Sequence, residues 1–205
     1  MRPPLPRLHA ITDERIARRA DLQDVARELA GAGGANLALH ARGRALSGLE
    51  HYDLSFHLSI VPSSLFVNDR LDIALAMNAA GVQLRAESLP VSAARRVRAA
   101  WWIGKSVHDL AEAEAARLAG ADYLVVGPVY PTASHPGRRP LGVAGLRAIV
   151  AAAGELPVIA IGGITIGRVR EVRTSGAHGI AAIRAFWDDG DAAATVRQIR
   201  EELSQ

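Results

Sequence analysis

Apolar residues in this chain gather into short continuous runs, and each run leads into a stretch where they recur at helical spacing. Residues 8–12, 36–42, 64–69, 81–84, 101–108, 123–126, 157–163 and 179–186 read as strands. Helical patterns follow, with Leu22, Val25, Ala26 and Leu29 on one face and Gly31 and Gly33 closing the first of them. Further helices are expected over 70–79, with Leu71, Ala74 and Leu75 inward, and over 91–99, 109–118, 143–152, 166–173 and 192–203. Gly120 ends the alanine- and glutamate-rich one. Only the polar and aromatic stretch 47–57 is weakly marked, and one short helix is expected there.

Strands that are apolar throughout, rather than alternating, indicate a parallel sheet covered on both faces. Eight strand–helix units spaced about 25 residues apart suggest a single (β/α)8 barrel spanning residues 1–205. An open doubly wound α/β sheet is the alternative.

Composition changes this picture little. Hydrophobic residues form 49 % and charged residues 22 % of 205, which suits an ordinary globular protein. No apolar run is long enough to span a bilayer, and Met1-Arg2-Pro3-Pro4 lacks the apolar core of a signal peptide. With no cysteine to form disulfides, a cytoplasmic location is expected. The net charge of +3 comes with arginines spread over the helices and a single lysine, Lys105, so neither nucleic acid nor membrane is an expected partner. Homo-oligomerisation stays open, with Trp101, Trp102 and Trp187 serving either an interface or the core.

In a barrel the loops after the strands converge on one mouth. That places Arg42, Asn68, Asp69, Ser106, His108, the loop from Gly127 to Gly137, Gly162, Gly163 and Arg184 around one pocket. Gly162-Gly163 after the seventh strand offers bare backbone for a phosphate, and Arg184 would either close over it or form an outward ion pair. A guanidinium at Arg42 calls for an anion, either a ligand or Asp69. Asp69 suits either a divalent cation, with Glu87 the nearby second acid, or the N-cap of the next helix.

Val67-Asn68-Asp69, Gly81-Val82-Gln83-Leu84, Ser106-Val107-His108, Val126-Gly127-Pro128-Val129-Tyr130-Pro131-Thr132 and Ile159-Ala160-Ile161-Gly162-Gly163-Ile164 together resemble the thiamine phosphate synthase/TenI superfamily. The resemblance covers nearly the whole chain in order and implies a (β/α)8 barrel. It implies one of two activities. The synthase joins a hydroxymethylpyrimidine pyrophosphate to a thiazole phosphate using Mg²⁺. TenI-type proteins aromatise a carboxythiazole phosphate tautomer by moving a proton, with no cofactor.

Departures from the synthase pattern point toward the tautomerase. The synthase's Gln-Glu-Asp run, whose last acid binds Mg²⁺, is here Ala86-Glu87-Ser88. Its Thr-x-Thr-Lys loop is here Thr132-Ala133-Ser134-His135, and its Gln-x-Arg-Glu-Lys is His40-Ala41-Arg42-Gly43-Arg44. The tautomerase is therefore the expected activity, with the synthase as alternative and a non-catalytic phosphate-binding homologue as a third reading. A TenI-type pattern has its basic histidine where this chain has Pro128, so His135 is expected to shuttle the proton, with His40 and His108 as alternatives. Gly162, Gly163, Ile183 and Arg184 would then hold the substrate phosphate, and Arg42 or Lys105 its carboxylate. Asn68, Ser106, Thr132 and Ser134 would line the ring, and Asp69 would bind metal only in a synthase.

Overall fold

A computed structural model of the chain describes residues 2–134, 137–188 and 190–205. Eight strands pair in parallel: β1 (Leu8–Ile11), β2 (Leu37–Ala41), β3 (Ser64–Asn68), β4 (Gly81–Leu84), β5 (Trp102–Val107), β6 (Tyr123–Val126), β7 (Val158–Ile161) and β8 (Gly179–Ala182). They close into a barrel in chain order, with Leu8 of β1 opposite Ile180 of β8. The expected (β/α)8 architecture is the observed one.

The surrounding helices are α1 (Glu14–Ala17), α2 (Leu22–Gly33), α3 (Gly48–Ser59), α4 (Leu71–Ala76), α5 (Val91–Val97), α6 (Leu110–Leu118), α7 (Gly142–Ala153), α8 (Ile166–Thr174), α9 (Arg184–Trp187) and α10 (Ala192–Ser204). Their inner faces and the outer faces of the strands make one apolar layer, which includes Leu29, Leu54, Ile73, Leu146, Val169 and Val196. No helix among the described residues is long and apolar enough to cross a membrane.

A second cluster fills the barrel itself: Leu5, Ile11, Ala38, Phe66, Tyr123, Val125, Ile159 and Ala181. Its packing depends on two glycines. A Cβ on Gly81 would stand 2.5 Å from the Phe66 ring, and one on Gly104 would stand 2.2 Å from Tyr123 Cζ. The rings from β3 and β6 therefore occupy the space that side chains on β4 and β5 would take. Leu5 and the carbonyl of Pro6 close the barrel floor.

Several boundaries differ from expectation for local reasons. Strand β8 stops at Ala182 rather than running to 186, because Ile183 turns into helical geometry (φ −98°, ψ −79°) and starts α9. That turn carries Phe186 and Trp187 back into the core. Helix α4 ends early: Asn78 adopts φ 50°, Ala79 N–H donates to Ala74 O, and Asn78 N–H donates to Leu75 O. This closing motif leaves Ile73 and Ala74 inward and Leu75 exposed, against expectation. The weakly marked helix is a full α3, begun by a capping box in which Ser47 Oγ accepts from Glu50 N–H and Glu50 Oε2 accepts from Ser47 N–H. Its outer face shows Leu49, Tyr52 and Phe56. Trp101 and Trp187 are core residues, and Trp102 lies under the Arg2 guanidinium, so the tryptophans build no exposed patch.

Gly104→Ala should test the interior packing. Overfilling a close-packed core costs about 1–3 kcal/mol. A lowered urea midpoint with an unchanged slope is expected, and a midpoint at the wild-type value would refute the requirement for glycine.

Candidate active site

The strand ends surround a cavity of about 1430 Å³ at the C-terminal mouth of the barrel. Arg42, Asn68, Lys105, Ser106, His108, Thr132, Ser134, Gly162, Gly163, Ile183 and Arg184 all line it, so the expected mouth residues do converge. His40 and Asp69 do not line it, and His135 lies outside the described residues.

His40 is sealed inside the barrel, stacked on Phe66 and 2.8 Å from His9. His9 Nε2 stands 2.9 Å from the Pro6 carbonyl, which can only accept, so this nitrogen carries the proton. Burial holds His9 down at about 4 and His40 well below its ordinary value, so both rings are neutral at pH 7. His9 Nδ1 is then a lone pair, and His40 Nε2–H donates to it. That leaves His40 Nδ1 as an acceptor facing Asn68 Oδ1 at 3.4 Å. Two neutral imidazoles hold two N–H groups and cannot serve three acceptor contacts. The amide of Asn68 therefore turns its Nδ2 inward and its Oδ1 toward the cavity. His40 thus orients a wall residue and is not the proton shuttle; it has no route to a substrate.

Gln83, missed at the sequence level, works in the same way. Its Nε2 donates to Ser106 Oγ at 3.0 Å, so the Ser106 hydroxyl proton is free to point into the cavity. Thr12 is another unforeseen support: its buried hydroxyl accepts from Arg42 N–H at 2.9 Å and ties the end of β1 to that of β2. The half-buried Arg42 guanidinium itself has no hydrogen-bond or ion-pair partner among the described residues. Burial and the Arg44 charge lower its pKa, opposed by the charges of Glu14 and Asp13. Lys105 reaches over the same arc and donates from Nζ to Arg85 O at 2.7 Å.

The opposite arc is built from backbone. Gly162 and Gly163 have φ of +98° and +64°, and a Cβ on Gly163 would stand 2.5 Å from the Pro131 carbonyl. Tyr130 N–H donates to Gly162 O, and Arg168 Nη1 donates to Gly163 O while stacking on the Tyr130 ring. This stitching fixes the turn at the cavity wall, where Gly162, Gly163, Ile183 and Arg184 all line the cavity. Of the histidines proposed as bases, His108 is the one that reaches the cavity among the described residues. Its Nδ1 donates to Gly127 O at 2.8 Å, leaving Nε2 as a lone pair when the ring is neutral.

Asp69 is neither a helix N-cap nor a cavity ligand. It sits at φ 60°, and Arg85 covers it, with Nε 2.6 Å from Oδ2 and N–H 3.1 Å from Oδ1. Arg85 follows β4 directly, so the same mouth argument that singled out Arg42 applied to it.

A model of the family described as thiamine monophosphate synthase matches residues 8–186. The chain belongs to the thiamine monophosphate synthase family. A thiamine-phosphate synthase of Methanoculleus marisnigri is 40 % identical over 96 % of this chain and 95 % of its own. One of Pyrococcus horikoshii is 37 % identical over 96 % of each. The structure of a thiamine phosphate pyrophosphorylase from Pyrococcus furiosus superposes with a TM-score of 0.83 at 34 % identity, over 97 % of this chain and 95 % of that one. These relatives carry the synthase name and not the TenI name that the sequence reading expected.

The family's Mg²⁺ does not fit these side chains. Both Asp69 oxygens are engaged by Arg85, and Ser88 stands where the second carboxylate would be. Among the described residues no group of three or more acidic, histidine or cysteine side chains is arranged to hold a metal.

Two measurements probe this arrangement. Both imidazoles are depressed from 6.5, so the unfolded chain binds more protons than the native one once pH falls below 6.5. Their contribution to stability is complete above 6.5 and is lost as pH falls toward 4, at up to about 1.4 kcal/mol per pH unit for each ring. Urea denaturation across that window should show the decline, and a flat profile would contradict neutral burial. Gly163→Ala, forced into positive φ against Pro131, should weaken binding of inorganic phosphate about tenfold or more. Calorimetric titration reads this directly, and wild-type affinity would remove Gly163 from the phosphate site.

Proposed function

We propose that the chain is a thiamine-phosphate synthase, coupling a hydroxymethylpyrimidine diphosphate to a thiazole phosphate. The observation that carries this reading is a single cavity with two anion-binding arcs on opposite sides. One arc is Arg42 and Lys105; the other is Gly162, Gly163, Ile183 and Arg184. A diphosphate on the first arc and a thiazole phosphate on the second occupy both, whereas a tautomerase would set one substrate's carboxylate and phosphate there. The names of the relatives support the same reading.

In this reaction the thiazole nitrogen lone pair forms the new C–N bond to the pyrimidine methylene, and the C–O bond to diphosphate breaks with its electron pair leaving on the diphosphate. Charge therefore grows on the Arg42 side, where fixed cations stabilise it most as the bond breaks. The thiazole phosphate sits on the Gly163 side, which aims its ring across the cavity. Ser106 O–H and Asn68 Oδ1 offer one donor and one acceptor to the ring that lies between.

A second reading retains the tautomerase, and the covered Asp69 together with the cavity-facing His108 Nε2 favours it. There His108 would take a proton from one ring carbon and return it to another. No proton moves through Pro128, which lacks an ionisable group.

Supplying both synthase substrates should yield thiamine phosphate, followed by chromatography. Arg42→Ala should lower kcat/KM by about 10²-fold or more, the scale for removing one preorganised charge partner. Aromatisation of the carboxythiazole phosphate tautomer without any coupling, and its loss in His108→Asn, would select the second reading instead.

A further inference from the structure

We infer that Arg85 is the resident cation of the diphosphate arc, occupying with its guanidinium the place where the family's pattern calls for a divalent metal, so that this chain binds a diphosphate ester without metal. The inference rests on the synthase reading for its substrate and on the geometry of Asp69, Arg85 and Arg42 for its site.

Three features meet at this corner. First, Asp69 does not reach the cavity wall, because Arg85 lies across it and Arg85 is the residue that lines the cavity. Second, Asp69 takes only Nε and the backbone N–H of Arg85, so both terminal nitrogens of the guanidinium remain without a partner among the described residues. The carboxylate thus works as a strut: it fixes the angle of the guanidinium and leaves its outer edge to a ligand. Third, Arg85 stands within electrostatic reach of Arg42, whose guanidinium has no hydrogen-bond or ion-pair partner among the described residues, and Lys105 Nζ is fastened to the Arg85 carbonyl.

Glu14 and Asp13 act on Arg42, and Asp69 and Glu112 on Lys105, which leaves the two terminal nitrogens of Arg85 as the donors at this corner without a partner among the described residues. A diphosphate suits it better than a lone carboxylate, because planar guanidinium forks bind two phosphoryl oxygens at a time. Ser88 stands at the second acid position of the family's metal pattern, while Glu87 beside it lines the cavity. The exchange of metal for guanidinium preserves charge on the leaving diphosphate side and removes the need for a metal to be recruited with each substrate.

The test uses inorganic pyrophosphate and the intact chain, titrated calorimetrically in EDTA and again in excess Mg²⁺. Wild type should bind in EDTA at least as tightly as in Mg²⁺. Arg85→Ala should weaken binding in EDTA about tenfold or more, the scale for losing a hydrogen bond between charged groups, and Arg85→Lys should recover part of it. The Arg85 side chain is 57 % exposed, so its removal should leave the thermal melt unchanged, and the melt serves as the control for folding. Wild type that binds pyrophosphate only with Mg²⁺, or Arg85→Ala that binds as wild type does, would overturn the inference. No turnover is read, so failure of the synthase assay leaves these outcomes intact. Turnover that required Mg²⁺ would sink metal independence while sparing the synthase reading.

Discussion

Two histidines share the interior of this barrel, and they can do so only if neither is charged. An imidazolium in that layer would face Phe66, Tyr123 and apolar strand residues with no counter-ion. Neutrality then settles the rest by proton counting. The Pro6 carbonyl at the floor fixes His9, His9 fixes His40, and His40 fixes which end of the Asn68 amide faces the substrate cavity. A main-chain oxygen at the bottom of the barrel thus decides whether a residue at the top offers a donor or an acceptor.

The rim is governed by the opposite condition. Inside, charge is excluded; at the mouth, positive charge is concentrated and held apart by its supports. Thr12 pins the backbone of Arg42, Asp69 braces Arg85, and the Tyr130 ring carries Arg168. Each support leaves the outward edge of a cation available to a ligand, which is the arrangement that makes electrostatic stabilisation effective without reorganisation at the moment of reaction. Neutral interior and charged rim are linked through Asn68, which belongs to both.

The barrel was legible in the sequence because its cause is periodic: short apolar strands alternate with helices, and only a covered parallel sheet accommodates them. The convergence of Arg42, Ser106, Gly162 and Arg184 followed from the same rule, since position at a strand end fixes position at the mouth. What the pattern did not carry was how deep side chains sit at those ends. His40 and Arg42 are two residues apart on the same strand end, yet one is sealed in the core and the other reaches the cavity. His9 offered no placement argument in the sequence because a histidine in an apolar strand has no partner until the neighbouring strand is in register. The helix α3 was underrated although Ser47 and Glu50 spell a capping box, because its Leu49, Tyr52 and Phe56 face outward and blur the periodicity.

The departures that favoured a tautomerase look different once the side chains are in place. In the sequence, Ser88 in place of a metal-binding acid and His135 in place of a lysine point to loss of the reaction that uses them. On the inference proposed above, Arg85 keeps positive charge at a corner with one metal-binding acid fewer, because a guanidinium held by a carboxylate supplies a fixed charge and directional donors together. In the proposed coupling reaction charge develops on a leaving diphosphate, and a preorganised cation of either kind, metal or guanidinium, stabilises it. The aligned position of one residue therefore says less about chemistry than the net charge of the corner it occupies. In this chain the corner has remained positive.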